Sequence, residues 1–322
     1  MLRSSLLLGL LMQTLPRATL QARLTAFGPA GVACRAFFSG RVALAAIAAL
    51  PRFTRRRVLL PEYLCNVVPL AFERAGWAVH GYAVDDRFEP DCAALAARAA
   101  AVGADLLLLA PLYGADGGVR WWLGEEGRAA RERLGLALVL DLCQDAGALA
   151  RLPPVLGRDW AALVSFNDKS FPGAMGALAW TDLDLPPPPP PGVAAALPMA
   201  ARVLRRLLLS RRLGDERGFE FSYASRFPYA FGTAGPTRLQ LALGLVGLQR
   251  LPRWQALRRA AVQAGRVRPL DLPHAAGAPF VVAAPGDPGR HRLKRPYATA
   301  HDSAQSLRPR LVVRHNKGFD DE

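Results

Sequence analysis

Between residues 40 and 181, short and nearly unbroken apolar runs alternate with segments of helical periodicity. The clearest run is Asp105-Leu-Leu-Leu-Leu-Ala, in which successive leucines leave no polar face. A strand with that pattern has to be buried on both sides, and only a sheet with helices on each face offers such a place. The runs 58–60, 78–84, 105–110, 136–140, 161–165 and 176–180 read as strands. The stretches 42–50, 63–74, 91–101 and one through 128–133 read as helices. This alternation predicts an α/β protein built as a three-layer, mostly parallel sheet.

The pattern breaks at the six prolines Pro186 to Pro191, a stiff extended run that suits a boundary. Beyond it, residues 193–212 read as a basic helix and 237–251 as a strongly apolar one. From residue 285 apolar periodicity fades, and the tail after Arg308 reads as poorly packed. The expected organisation is an N-terminal helical arm (1–36), a large domain (37–185) and a proline-rich linker (186–192). A helical extension with a small or incomplete C-terminal α+β domain (193–322) completes it. The opening apolar run, Leu6 to Met12, is interrupted by Gln13 and followed by no nearby cleavage pattern, so it reads as a helix packed on the body rather than a secretory signal. No run is long enough to span a bilayer.

With 322 residues and 51% hydrophobic content, the chain can bury a large core. Its net charge of +15 invites a nucleic-acid reading, but the arginines are scattered and not interleaved with aromatics. Solubility, or attraction for phosphorylated small ligands, explains the charge better. The four cysteines, Cys34, Cys65, Cys92 and Cys143, show neither C-x-x-C nor metal-finger spacing and read as reduced thiols of a cytoplasmic protein. Phosphate loops, dinucleotide fingerprints, zinc-protease and nucleophile-elbow motifs are all missing.

Four features remain that carry chemistry. Lysine is nearly excluded: only Lys169, Lys294 and Lys317 occur among 41 basic residues. A lysine amine can lose its proton and attack a carbonyl, which a guanidinium cannot do. Asp141 ends the run 136–140, where a carboxylate can pair with a protonated ring nitrogen or simply form a turn. Ser165 ends the next strand, and Ser39-Gly40-Arg41 opens a helix whose N-terminus suits an anion. In chain order these supply a phosphate cradle, a pyridine-nitrogen partner and a reactive amine, the parts needed to hold pyridoxal 5'-phosphate.

At these residues the chain resembles the DegT/DnrJ/EryC1/StrS family of fold-type I pyridoxal-phosphate sugar aminotransferases, as a divergent member. Phe38-Ser39-Gly40-Arg41-Val42-Ala43-Leu44 is similar to the family's phosphate-binding helix start, with Arg41 at the usual threonine. Leu60-Pro61-Glu62-Tyr63 is similar to its next strand end, and Leu112-Tyr113-Gly114 to its His-x-Tyr-Gly turn, with Pro111 near the histidine position. Asp141-Leu142-Cys143-Gln144 resembles the Asp-x-x-Gln element, and Val164-Ser165-Phe166 with Lys169 resembles the Phe-Ser-Phe…Lys segment. The spacing from Ser165 to Lys169 is one residue shorter than usual, and Gly235-Pro236-Thr237 stands where the family carries an asparagine segment.

The resemblance implies that Asp141 partners the pyridine nitrogen, Gln144 approaches the phenolic oxygen and Cys143 lies against the ring. Ser39, Gly40, Arg41 and Ser165 would serve the phosphate, Tyr63 would join the cofactor site, and Lys169 would bond the cofactor covalently. It further implies a homodimer that moves an amino group from Glu or Gln to a keto-sugar nucleotide. Two other expectations compete: a degenerate member that keeps the fold for binding or scaffolding, and a basic nucleic-acid-binding protein.

Overall fold

A computed structural model describes residues 2–65, 67–153, 156–166, 176–191, 234–265, 271–278, 280–282, 293–294 and 313–315, with positions 197, 200, 201, 204 and 269. Its centre is a seven-stranded sheet: β1 (Ala33–Phe37), β2 (Arg57–Pro61), β3 (Ala78–Tyr82), β4 (Leu106–Leu109), β5 (Ala137–Asp141), β6 (Trp160–Ser165) and β7 (Ala177–Thr181). The order is β1-β7-β6-β5-β4-β2-β3. Pairings from β3 through β2, β4 and β5 to β6 are parallel, and β7 runs antiparallel to both β6 and β1.

Double-sided burial follows the strand pleat. In β5, Leu138 and Leu140 enter one core cluster while Ala137 and Val139 enter the other. In β4, Leu107 and Leu109 face the first cluster, and Leu106 and Leu108 the second. Helices α3 (Gly40–Ala48) and α4 (Val67–Glu73) cover the second cluster. The other face is covered by α2 (Arg17–Thr25), α5 (Cys92–Val102), α6 (Gly117–Leu123), α7 (Glu125–Leu134) and α8 (Arg238–Gln263). The expected three-layer, mostly parallel α/β architecture is present.

Local signals explain most element ends. Asp91 accepts the Ala94 N–H to start α5, and Gly103 at φ 60° ends it. Glu125 and Glu126 open α7, and Arg131 and Arg133 close it, in the sense that favours the helix dipole.

Several elements differ from the sequence reading. The sheet begins before residue 37, because Ala33–Phe37 is its edge strand, paired with the later β7. The helix expected over 63–74 starts only at Val67, since Tyr63, Leu64 and Cys65 are buried directly after β2. Helix α8 does not stop at residue 251. It runs through Pro252 to Gln263 because Trp254, Arg258 and Ala261 continue its buried face. Residues 313–315, placed in an unpacked tail, form the middle strand β10 (Val313–His315) of a small antiparallel sheet. Its neighbours are β8 (Phe280–Val282) and β9 (Leu293–Lys294).

The N-terminal helix α1 (Leu2–Met12) packs on α8, with Leu6 fully buried and Arg250 of α8 donating to the Ser4 and Ser5 hydroxyls. The apolar residues of α8 are thereby covered within one chain; Leu241, Ala242 and Leu245 are fully buried. The basic helix expected over 193–212 lies largely outside the described residues. Among the described residues no helix is long and apolar enough to cross a membrane.

Candidate functional site

Strand register brings the chemistry-bearing residues to one edge of the sheet. Ala177, the first residue of β7, pairs with Phe37 on one side and Ser165 on the other. Two residues after Phe37 the chain turns into α3 at Ser39, so the first turn of α3 lies beside the end of β6. On the other flank, Asp141 of β5 pairs with Leu163, two residues before Ser165. Ser39, Gly40, Asp141 and Ser165 therefore meet beyond the carboxyl ends of neighbouring strands, where open α/β sheets hold their ligands.

Gly40 shows how closely they meet. A Cβ placed there would lie 3.6 Å from Cys143 Sγ and 4.0 Å from Ser165 Cβ. The glycine leaves a methyl-sized recess between the start of α3, the turn after β5 and the end of β6. Ser39 is the N-cap of α3 yet makes no side-chain cap bond. Its Oγ is buried without a hydrogen-bond partner. Stranding a buried hydroxyl costs about 1–3 kcal/mol, and its place beside a helix N-terminus would suit an external acceptor.

Asp141 is half-buried, and its Oδ1 accepts the Cys143 N–H at 3.0 Å, capping the 3-10 turn Leu142–Gln144. The turn-forming role weighed for this residue is realised, and it occupies one carboxylate oxygen. Cys143 and Gln144 are buried in the same turn, Ser165 is buried at the end of β6, and Arg41 is half-buried in the first turn of α3. An orphaned hydroxyl, a small recess at a helix N-terminus and a strand-end carboxylate fit a phosphorylated pyridine cofactor. Ser39, Gly40, Arg41 and Ser165 would hold its phosphate, and Asp141, Cys143 and Gln144 its ring. Lys169 falls in residues 167–175, outside the described residues.

The start of α8 braces this edge. Phe38 N–H donates to Ala234 O at 3.1 Å, and Gln240 Nε2 donates to Phe38 O at 3.2 Å. Gln240 also closes a capping box with Thr237, and Arg17 Nη1 reaches Pro236 O at 2.6 Å. Both backbone polar groups next to Ser39 are thus held by the segment 234–240. The sequence marks this region by its apolar face and by Gly235-Pro236-Thr237 in place of an asparagine segment; the Thr237-x-x-Gln240 spacing was the signal for the brace.

Tyr63 sits in a different cluster. Its hydroxyl is 3.0 Å from that of Tyr113, and Phe88 packs against both rings. Tyr113 has φ +56° and Gly114 φ +98°. A Cβ on Gly114 would meet Ala275 N at 2.3 Å, so the residues 274–275 close directly over this turn. His274 secures the closure, its N–H donating to Gly114 O at 3.1 Å and its Nε2 lying 2.8 Å from Asp116 Oδ2. Among the described residues no group of His, Cys, Asp and Glu side chains is placed to hold a metal ion.

No family model matches the chain, and no curated protein matches it. Solved structures do. S. venezuelae DesV is 17% identical, with 93% of this chain and 83% of DesV covered at a TM-score of 0.58. A DegT DnrJ EryC1 StrS aminotransferase from Brucella abortus is 16% identical, covering 95% and 93% at a TM-score of 0.57. Helicobacter pylori PseC, an aminotransferase involved in the biosynthesis of pseudoaminic acid, is 15% identical over 83% and 70%, at a TM-score of 0.56. The fold is that of the DegT/DnrJ/EryC1/StrS aminotransferases. Within this aminotransferase fold, the residues singled out by resemblance divide cleanly. Ser39, Gly40, Asp141, Cys143 and Ser165 converge, with Gln144 in the same turn, while Tyr63 belongs to the neighbouring aromatic cluster.

Proposed function

We propose that this chain is a pyridoxal-phosphate-dependent aminotransferase that moves an amino group from glutamate or glutamine to a keto-sugar nucleotide. The observation that carries this reading is the recess at Gly40, walled by Cys143 and Ser165 and flanked by the orphaned Ser39 hydroxyl. Support also comes from the fold, shared with aminotransferases. When bound, the cofactor supplies an electron sink for the carbon that gains or loses the amine.

The chain's own residues supply the rest. Ser39 and Ser165 offer hydroxyls to a phosphate, with the first-turn N–H groups of α3 behind them. Asp141 would pair with the pyridine nitrogen through the carboxylate oxygen not used in the cap and favour its protonated form. Lys169 would hold the cofactor through its Nζ, and that amine, when free, would carry a proton as a general base. Arg41 beside the recess and the arginine-rich surface suit the phosphates of a nucleotide sugar. The working form is a homodimer in the cytoplasm.

The test is a half-reaction. Full-length protein is loaded with pyridoxal phosphate, freed of excess, and given glutamate or glutamine. Loss of the yellow colour with release of the matching keto acid supports the reading. Uptake of the cofactor with no keto acid from either donor would show a binding protein instead.

A further inference from the structure

Helix α8 meets both serines of the candidate site through their immediate neighbours in the chain. On the Ser39 side the contact is polar. The Gln240 side chain is fully buried, with Nε2 donating to Phe38 O at 3.2 Å and Oε1 accepting the Thr237 N–H at 2.8 Å. The first of these bonds holds the peptide group that joins Phe38 to Ser39.

On the Ser165 side the contact is steric. Phe166 is fully buried and shares a core with Leu241, Ala242 and Leu245 of α8. Its ring lies over Gly244, where an added Cβ would overlap Cε2 and Cζ. Gly176 flanks the same ring, since a Cβ there would lie 2.6 Å from Cδ2. The Phe166 N–H donates to Gly176 O at 2.8 Å. A ring seated against two glycines in a close-packed core cannot shift without moving the backbone that carries it.

Gln240 and Gly244 are four residues apart and so lie on one face of α8. One helical turn therefore fixes Phe38 relative to Phe166, and with them Ser39 relative to Ser165. We propose that the turn Gln240–Gly244 sets the spacing of the Ser39 and Ser165 hydroxyls for a phosphate monoester, making Gln240 a positioning residue. The phosphate rests on the proposed function; the grip of α8 on the two serine-bearing segments does not. Spacing matters because a phosphate bound by both hydroxyls needs each at hydrogen-bond distance at once.

The experiment compares full-length Gln240→Met, Thr237→Val and Gly244→Ala with wild type. Each of the first two removes one side-chain bond of the helix cap, but only Gln240→Met also frees Phe38 O. Amide hydrogen exchange is read without added ligand. Absorbance titration gives the affinities for pyridoxal 5'-phosphate and for pyridoxal, which lacks the phosphate. Gln240→Met is expected to speed exchange at residues 38–43 about tenfold while β5 stays protected. It should weaken pyridoxal-phosphate binding about tenfold and leave pyridoxal binding near wild type, as loss of a charge-assisted hydrogen bond would. Thr237→Val should keep the wild-type preference between the two. If Gln240→Met does not fold, Gly244→Ala should show the same narrowed preference, with faster exchange at 164–166 instead. Wild-type exchange and preference in the folded variants, with only a lower melting temperature, would overturn the proposal. So would equal weakening of both ligands, or a Thr237→Val variant as altered as Gln240→Met. A wild-type chain that takes up no pyridoxal phosphate refutes the proposed function and leaves exchange at 38–43 to decide the grip of α8.

Discussion

Asp141 performs a structural task and is assigned a chemical one, and a single substitution separates them. In Asp141→Asn the amide oxygen can still accept the Cys143 N–H, so the cap survives while the charge is lost. Thermal stability should stay near wild type, while turnover with glutamate falls by about a thousandfold or more. A variant that keeps wild-type turnover would reduce Asp141 to a turn former. Gly114 makes a second residue-level prediction. Its φ of +98° and its contact with the backbone of His274 and Ala275 leave no room for a side chain. Gly114→Ala should cost roughly 2–4 kcal/mol in urea unfolding, from strain and overpacking together. Residues that act through local pattern were legible in the sequence: Ser39, Asp141 and Ser165 each end a strand or open a helix. The burial of Arg258 was not, because its helix packs on turns about a hundred positions earlier. Its only local trace is a charge on the face of Leu251, Trp254 and Ala261.

Among elements, the central strands were readable because burial on both faces forces continuous apolar runs, as in Leu106–Leu109. Strand β1 was not. Its sequence, Ala-Cys-Arg-Ala-Phe, carries a half-buried arginine that an edge position tolerates, Arg35 donating to Leu185 O at 2.9 Å. Its partner β7 also lies far along the chain. The turn between Leu156 and β6 offers a pH test. Arg52 beside Asp159 holds that carboxyl below its ordinary value of 3.8. The folded state therefore favours the charged form. The pair's contribution is complete above that pH and is lost as pH falls through the lower folded value. Both side chains are partly exposed, so the pair is worth about 0.2–1 kcal/mol. Asp159→Asn should lower the melting temperature at neutral pH, and the gap should close as the pH drops below 3.8. A gap that does not shrink would mean the pair contributes through something other than charge.

At the scale of the molecule, a small C-terminal α+β region was expected, but the strands of its sheet were not placed, because strands of two or three residues are too short to show a period. Ending the chain at Arg308 removes the middle strand β10 and leaves β8 and β9 unpaired. Limited proteolysis of that truncated chain should cut within 280–294 faster than in the full-length protein. Equal rates would show that the small sheet does not depend on its middle strand. Since α8 is already covered by α1 and α2, a homodimer has to use other surface. Leu7 and Leu11 of α1, one turn apart and 54% and 70% exposed, are the apolar residues such an interface would take up. Light scattering should then return twice 34.7 kDa, and Leu7→Glu should return the single mass.

Everything proposed here depends on pyridoxal phosphate binding beside Gly40, with its phosphate toward Ser39 and Ser165, and on Lys169 bonding it. Borohydride treatment of the cofactor-loaded protein, followed by peptide mapping, tests this directly. One pyridoxyl adduct is expected, on Lys169, and it should be lost in Lys169→Ala. No adduct, or an adduct confined to Lys294 or Lys317, would contradict it.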